Sequence, residues 1–270
     1  MPFYTDQLNR VIELKEFPKR IISLVPSQTE LLFDLGLEDE VIGITKFCVH
    51  PHEWFRNKTR VGGTKSVNPD TVMSLQPDLI IANKEENIKE QVGALEKIAP
   101  VWISDICNTN DALSMIKSIG EITGRAGSAS NLIYQIEKEW AALQTFVSKN
   151  KTRKLRTAYL IWKEPYMAAG GNTFIDEVLQ LNGLHNVFAE FERYPAIDME
   201  QLKNNHTELV LLSSEPYPFN QAHQKELQKA LPGIRILLAD GEMFSWYGSR
   251  MLPAAGYFQE LQQLIHNTNV

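Results

Sequence analysis

Cysteine is nearly absent: the 270 residues hold two, Cys48 and Cys107, in no C-x-x-C and at no metal-ligand spacing. Two lone thiols read as packing residues, and the missing disulfide framework weighs against an oxidising compartment. Long apolar runs are also missing. None approaches the ~20 residues a bilayer span needs, so no membrane-spanning segment is expected. Residues 1–20 carry charges throughout and no apolar h-region, so no signal peptide is read there. Either an export leader lies outside this stretch or the protein is cytoplasmic. Positive charge is in deficit, with 27 Lys and Arg against 33 Asp and Glu, a net charge of -6. No basic stripe interleaves with aromatics, which argues against a nucleic-acid partner. Nucleophile motifs, a Walker loop, a dinucleotide glycine fingerprint and H-E-x-x-H are all lacking. Gly62-Gly63 and Gly170-Gly171 read as turn glycines. An enzyme is not expected.

What is present is a regular alternation of strands and helices around one long helical stretch. Residues 128–149, SASNLIYQIEKEWAALQTFVSK, contain no Gly or Pro. Leu132, Ile136, Trp140, Leu143 and Val147 fall on one helical stripe. The run Gly124-Arg125-Ala126-Gly127 reads as a breaker before it, with Ser128 or Ser130 as N-cap. Lys149, Asn150, Lys151, Arg153, Lys154 and Arg156 follow, cations suited to a helix carboxyl end. On either side the pattern is α/β. Strands are predicted at 20–25, 41–44, 77–82, 101–103, 157–162, 209–213 and 234–239. Helices are predicted between them, and one of about sixteen residues runs on from Pro253. Such alternation predicts mainly parallel sheets covered on both faces.

The sequence also repeats itself. Residues 68–81 align without gaps on 198–211, each copy reading cap, spacer, acid, short helix, break, acid, strand. A weaker echo pairs LLFDLGL (31–37) with VLQLNGL (178–184). The expected architecture is therefore two lobes, 1–125 and 151–270, joined by a backbone helix at 126–150. The repeat puts Asp70 and Glu200 in the first turn of matching helices, where carboxylates suit the helix dipole. Two outward acids, one per lobe, also fit two cations on a symmetric partner.

Candidate site residues cluster after predicted strands. Ser27-Gln28-Thr29-Glu30 reads as a capping box opening a helix closed by Gly36, whose free amides lie where open α/β sheets bind ligands. His50 and His52 are weak metal candidates with no third ligand nearby. Aromatics accumulate in predicted loops: Phe47, Trp54, Trp162, Tyr166, Tyr194, Phe244, Trp246 and Tyr247, with Arg250 beside them. Rings in such places suit a large, flat, partly apolar ligand held rather than transformed.

The stretches RIISLVPSQTELLFDLGLEDEVIGIT, VNPDTVMSLQPDLII and AIDMEQLKNNHTELVLLS resemble the substrate-binding proteins of ABC importers for iron complexes and cobalamin, over about 19–265. The resemblance implies two α/β lobes joined by a long helix, a ligand held between them, and delivery to a membrane permease. It implies a monomer in the periplasm or cell envelope, with no covalent cofactor and a corrinoid or iron chelate as ligand. It makes Asp70 and Glu200 the permease-docking acids. Phe47 and Tyr194 match cleft aromatics; Ser27, Gln28, Trp162, Tyr166, Phe244, Trp246, Tyr247 and Arg250 are placed with them. Thr64 stands where cobalamin receptors can carry a tryptophan, and Asp70 is shorter than the usual glutamate. Two alternatives stay open. One is a siderophore or haem receptor, with Lys46, Lys65 and Arg250 as cations or Tyr194 and His50 as axial ligands. The other is a cytoplasmic chelatase-like enzyme using His50, His52 and His185.

Overall fold

The computed structural model describes residues 2–149 and 153–267. Contacts divide the chain into two compact units. The first takes the residues up to Ile106, then Asn110–Ile136 and Tyr247–Arg250. The second takes Cys107–Thr109, Glu137–Trp246 and the residues from Met251 onward.

In the first unit five strands lie in the order Thr59–Arg60, Val41–Ile44, Ile21–Ser23, Leu79–Asn83 and Val101–Ser104, and every neighbouring pair is parallel. Winding reverses between Ile21–Ser23 and Leu79–Asn83, and the carboxyl ends beside that point are where such sheets seat ligands. All residues of the last three strands are buried, as expected of a sheet covered on both faces. One face packs Ile22, Leu24, Ile80, Ala82, Val101 and Ile103 with Val72, Val92 and Leu95. An antiparallel hairpin, Phe3–Thr5 with Val11–Glu13, precedes the sheet and was not expected. Its loop joins the edge strand through Gln7 N–H to Ile103 O at 3.1 Å.

The second unit centres on Arg156–Trp162, flanked in parallel by Leu209–Ser213 and then Arg235–Ala239. On its other side lie the short parallel pair with His185–Asn186 and two antiparallel strands, Tyr166–Ala168 and Ala196–Ile197. Those antiparallel edges are two and three residues long, too short to show a period in the sequence. Ala158, Leu160, Val210, Leu212 and Ile236 form one core with Phe188, Leu202, Phe219 and Leu227.

The long helix runs Ala126–Lys149, about 36 Å at 1.5 Å per residue. It starts two residues before the predicted 128, because the break is Gly124 alone. That glycine has φ +70°. The preceding helix, Thr109–Ile122, ends on it with Arg125 N–H to Gly120 O at 2.6 Å and Gly124 N–H to Glu121 O at 3.3 Å, a Schellman closure. Gly127 is helical, so neither Ser128 nor Ser130 is a cap. Ile136, Trp140 and Leu143 are buried as the stripe requires. Trp140 meets Phe258 edge-on at 5.9 Å and donates its indole N–H to Met251 O at 2.7 Å. Asn150 and Lys151 lie outside the described residues. Arg153 and Arg156 are used elsewhere than at the helix end.

That other use explains the repeat. Asn68 caps Pro69–Ser74 and Asp198 caps Met199–Asn204. The second acid of each copy then fastens the entry to its unit's central strand. Asp78 accepts the N–H groups of Lys19 and Arg20 at 2.8 and 2.9 Å. Glu208 accepts Arg156 N–H at 3.0 Å and pairs with Arg153. Arg20 Nε donates to Leu75 O and Gln76 O, and Arg156 Nε to Asn205 O. Gln76 and His206, equivalent in the alignment, both have positive φ, +45° and +47°.

Candidate functional site

At the carboxyl edge of the first sheet a buried polar network replaces the expected capping box. Helix Pro26–Asp34 has Val25 at its N-cap with no side-chain cap. Ser27 is thus inside the first turn behind Pro26, and Glu30 does not reach back. Gln28, fully buried, donates from Nε2 to Ser104 Oγ. Asn83 Nδ2 donates to the same oxygen at 3.0 Å, and Asn87 Oδ1 accepts Asn83 N–H at 2.8 Å. Asn87 Nδ2 reaches Thr64 O at 2.9 Å. Thr64 is thereby tied to the strand end, as a positioned part of the same edge. Thr29 and Thr45 hydroxyls each lie 3.1 Å from the Cys48 thiol. Burial pushes that thiol's pKa up, so it is a packing group.

Phe47 stands on this edge half exposed, at 51%. Its ring lies over Gly63, where a Cβ would sit 3.2 Å from Phe47 Cε2, and Lys46 Nζ lies 5.1 Å from the ring centre. Phe47 thus packs on the hairpin that carries Thr64. Trp54 is instead core, inside helix His52–Asn57 and edge-on to Phe33 at 5.4 Å. His50 and His52 rings are 5.3 Å apart. Among the described residues no group of three His, Cys, Asp or Glu side chains is placed to hold a metal. Lys84 and Asp105, on adjacent strand ends, form an ion pair at 2.5 Å. Lys65 is exposed on the hairpin beside Thr64.

Arg250, grouped by sequence with ligand contacts, sits against helix Pro26–Asp34. Its Nε donates to Glu30 Oε2 at 2.8 Å and its Nη2 to Oε1. Both side chains are largely buried, at 13% and 18% exposure. Burial raises the Glu30 carboxyl, more than Arg250 lowers it. Glu30 shows no distinguishing sequence signal, because its partner is 220 residues away.

At the carboxyl edge of the second sheet, Trp162 is 40% exposed and meets Tyr217 edge-on at 5.6 Å. Tyr166 is half-buried, and burial raises its phenol pKa. Lys163, between them in sequence, pairs with Glu226 at 2.7 Å. Tyr194 is half-buried, on a segment held by Gly170 and Gly171. A Cβ on Gly170 would lie 2.3 Å from Phe191 O, and one on Gly171 2.2 Å from Ala189 O. These glycines serve a close backbone approach rather than a turn. Phe244 is fully buried, ringed by Tyr159, Phe258 and Tyr257 at 4.7, 4.9 and 6.3 Å. It is a core residue of helix Gly241–Ser245, a helix absent from the sequence reading. Trp246 is nearly as buried, its indole N–H held by Glu215 Oε1 at 2.7 Å. Tyr247 and Arg250 fall in the first unit. His185 is exposed at the start of its strand, beside Arg156, and so lies at the edge opposite the strand carboxyl ends.

Asp70 and Glu200 are both exposed in the first turns of their helices. A groove of about 500 Å³ lies elsewhere, between Arg10–Glu13 and Glu96–Val101. It opens at the amino end of strand Val101–Ser104, the end at which such sheets do not seat ligands. Among the described residues no helix is long and apolar enough to cross a membrane.

The family described as periplasmic binding protein matches residues 21–234. An uncharacterized ABC transporter substrate-binding lipoprotein of Bacillus subtilis (strain 168) is 29% identical over 194 residues, 68% of this chain and 60% of that protein. The chain thus spans about three-fifths of that relative. A vitamin B12-binding protein of Vibrio parahaemolyticus serotype O3:K6 is 25% identical over 237 residues, 87% of this chain and 84% of the relative. Among solved structures, a periplasmic vitamin B12 binding protein of Vibrio cholerae superposes with a TM-score of 0.79 at 20% identity, covering 93% of this chain and 99% of that one. A periplasmic heme binding protein from Pseudomonas aeruginosa gives 0.80 at 20% identity, covering 93% and 94%. At such identities the structural likeness establishes the fold.

Proposed function

Because the chain belongs to the periplasmic binding protein family, we propose that it is the substrate-binding component of an ABC importer, capturing a corrinoid and handing it to a permease. The observation that carries this reading is the pairing of sheet edges with rings. Each unit has partly exposed aromatics at the carboxyl edge of its parallel sheet, Phe47 in the first and Trp162, Tyr166 and Tyr194 in the second. At the first edge Gln28, Asn83, Asn87 and Ser104 are hydrogen-bonded to one another. Such surfaces hold a large flat ring by contact area and offer little with which to transform it. The corrinoid assignment is supported by the vitamin B12-binding relative, matched over most of both chains.

The ligand-facing set is Phe47 and Thr64 from the first unit and Trp162, Tyr166 and Tyr194 from the second. Phe244 is left out because its ring is spent on core packing. Helix Ala126–Lys149, whose residues are divided between the two units after Ile136, is read as the connector, and the working location is the periplasm or cell envelope. Binding requires no resident cofactor.

Haem or a ferric siderophore is the second reading, favoured by Tyr194 and His50 as side chains able to meet iron. Parallel calorimetric titrations with cyanocobalamin, haemin and a ferric hydroxamate decide between them. Tight binding of cyanocobalamin alone, weakened by Phe47→Ala and Trp162→Ala, is the expected result. A Soret shift with haemin, lost in Tyr194→Phe, moves the assignment to haem. Binding of none of the three removes the proposal.

A further inference from the structure

Each half of the chain lends a short segment to the unit built by the other half. Cys107–Thr109, which follow the last strand of the first sheet, belong to the second unit. Tyr247–Arg250, which follow the last strand of the second sheet, belong to the first. Each borrowed segment is held by a glutamate. Glu177 Oε2 accepts Thr109 N–H, and its Oε1 lies 3.4 Å from the Thr109 hydroxyl. Glu30 takes the two-pronged guanidinium of Arg250.

The two glutamates are equivalent. In the alignment of 31–37 with 178–184, Glu30 and Glu177 stand one residue ahead of each copy. Both lie on the first helix after their unit's central strand, Pro26–Asp34 and Phe174–Leu181. Those helices end identically, on Gly36 at φ +76° and Gly183 at φ +68°. In each, the next N–H reaches back to the first turn of the closure, Leu37 to Leu32 O at 3.1 Å and Leu184 to Leu179 O at 2.9 Å. The strap in the first unit has further grip. Gly248, at φ +106°, packs at ordinary contact distance on helix Pro26–Asp34, where a Cβ would lie 3.4 Å from Ser27 O. On either side of it the chain is anchored in the second unit, Trp246 by Glu215 and Met251 by Trp140.

We propose that Glu30 and Glu177 are positioning residues for ligand capture: each fastens an exchanged strap, and the hold on the straps sets how fast bound ligand leaves. The release-rate part rests on the binding-protein reading above; the fastening does not. A strap held by a carboxylate opens locally at a rate set by that contact, and on the binding-protein reading the release of bound ligand follows that opening.

The test uses the full chain. Hydrogen exchange without ligand is measured for the wild type, Glu30→Ala, Glu30→Gln, Glu177→Ala, Glu177→Gln and the charge-reversed double variant Glu30→Arg with Arg250→Glu. Glu30→Ala should speed exchange of amides 247–250 about tenfold and leave 107–109 unchanged. Glu177→Ala should do the reverse, and the double variant should restore protection. The Gln variants keep the side-chain shape and should show smaller shifts in the same places. Stopped-flow release of cyanocobalamin should then quicken several-fold in each Ala variant, with association little changed. Unchanged strap exchange, or a rise spread over the whole chain, overturns the proposal. Selective strap opening with unchanged release overturns its functional half. If the wild type binds no cyanocobalamin, the binding reading fails, while the exchange result still judges the fasteners.

Discussion

Glu215 shows how one side chain can be both a cost and a clasp. Its Oε1 accepts the Ser245 hydroxyl at 2.8 Å and the Trp246 indole at 2.7 Å. Burial raises its pKa, and those two hydrogen bonds, which favour the charge, only partly offset it. A carboxyl whose folded value is raised binds its proton more tightly folded than unfolded. Its contribution is therefore most favourable at low pH and is lost as pH rises through the folded value. Glu215→Gln keeps an oxygen for both donors without the buried charge. It should be within about 1 kcal/mol of the wild type at pH 7 or above it, and its advantage should shrink as pH falls toward 4.5. Glu215→Ala strands the Trp246 indole N–H, while the Ser245 hydroxyl keeps Gly241 O at 2.8 Å, and should cost about 1–3 kcal/mol. Urea unfolding of the three proteins at pH 5 and pH 8 checks the sign; a larger Gln advantage at pH 5 refutes it.

Elements divide by whether their signal is local. The buried strands at 41–44 and 209–213 were legible to the residue, because the short apolar runs Val-Ile-Gly-Ile and Leu-Val-Leu-Leu stand between polar neighbours. The stripe of the long helix was legible for the same reason. The hairpin Phe3–Thr5 and Val11–Glu13 was not, since strands of three residues are defined by their partner. Nor was the failure of the 27–30 capping box: Pro26 is the first helical residue, so the serine lies too far inside to cap. For the site, the exposed rings Phe47 and Trp162 could be placed from the strand ends they follow. Phe244 and Arg250 could not, because their partners are distant in sequence. The repeat was visible, but the use of its second acid was not. Asp78→Ala releases two backbone N–H groups at a strand entry and Glu208→Ala one, and each should cost about 1–2 kcal/mol. Gly170→Ala should cost more, about 3 kcal/mol or above, since its Cβ would overlap Phe191 O. Chemical denaturation ranks the three, and an unaffected Gly170→Ala contradicts the close approach.

At the scale of the whole molecule, the repeat gives each unit an exposed acid at the same place on the same short helix, Asp70 and Glu200. Neither is needed for the fold beyond a dipole contribution of a few tenths of a kcal/mol. If a permease with paired cationic sites receives this protein, the acids act on association and not on capture. Their surroundings differ. Asp70 has exposed Met73 three residues on, whereas Glu200 has Lys203 there. Residues three apart share a helix face, so Lys203 offsets part of the attraction of Glu200 for a cation. Asp70→Ala should therefore weaken association with the reconstituted permease more than Glu200→Ala, each by about three- to tenfold. Lys203→Ala should strengthen it at low salt, and all three effects should shrink as salt screens exposed charge. Cyanocobalamin affinity should be unchanged in all three. Parallel loss of ligand and permease binding in Asp70→Ala would move that acid from the docking face into the capture site.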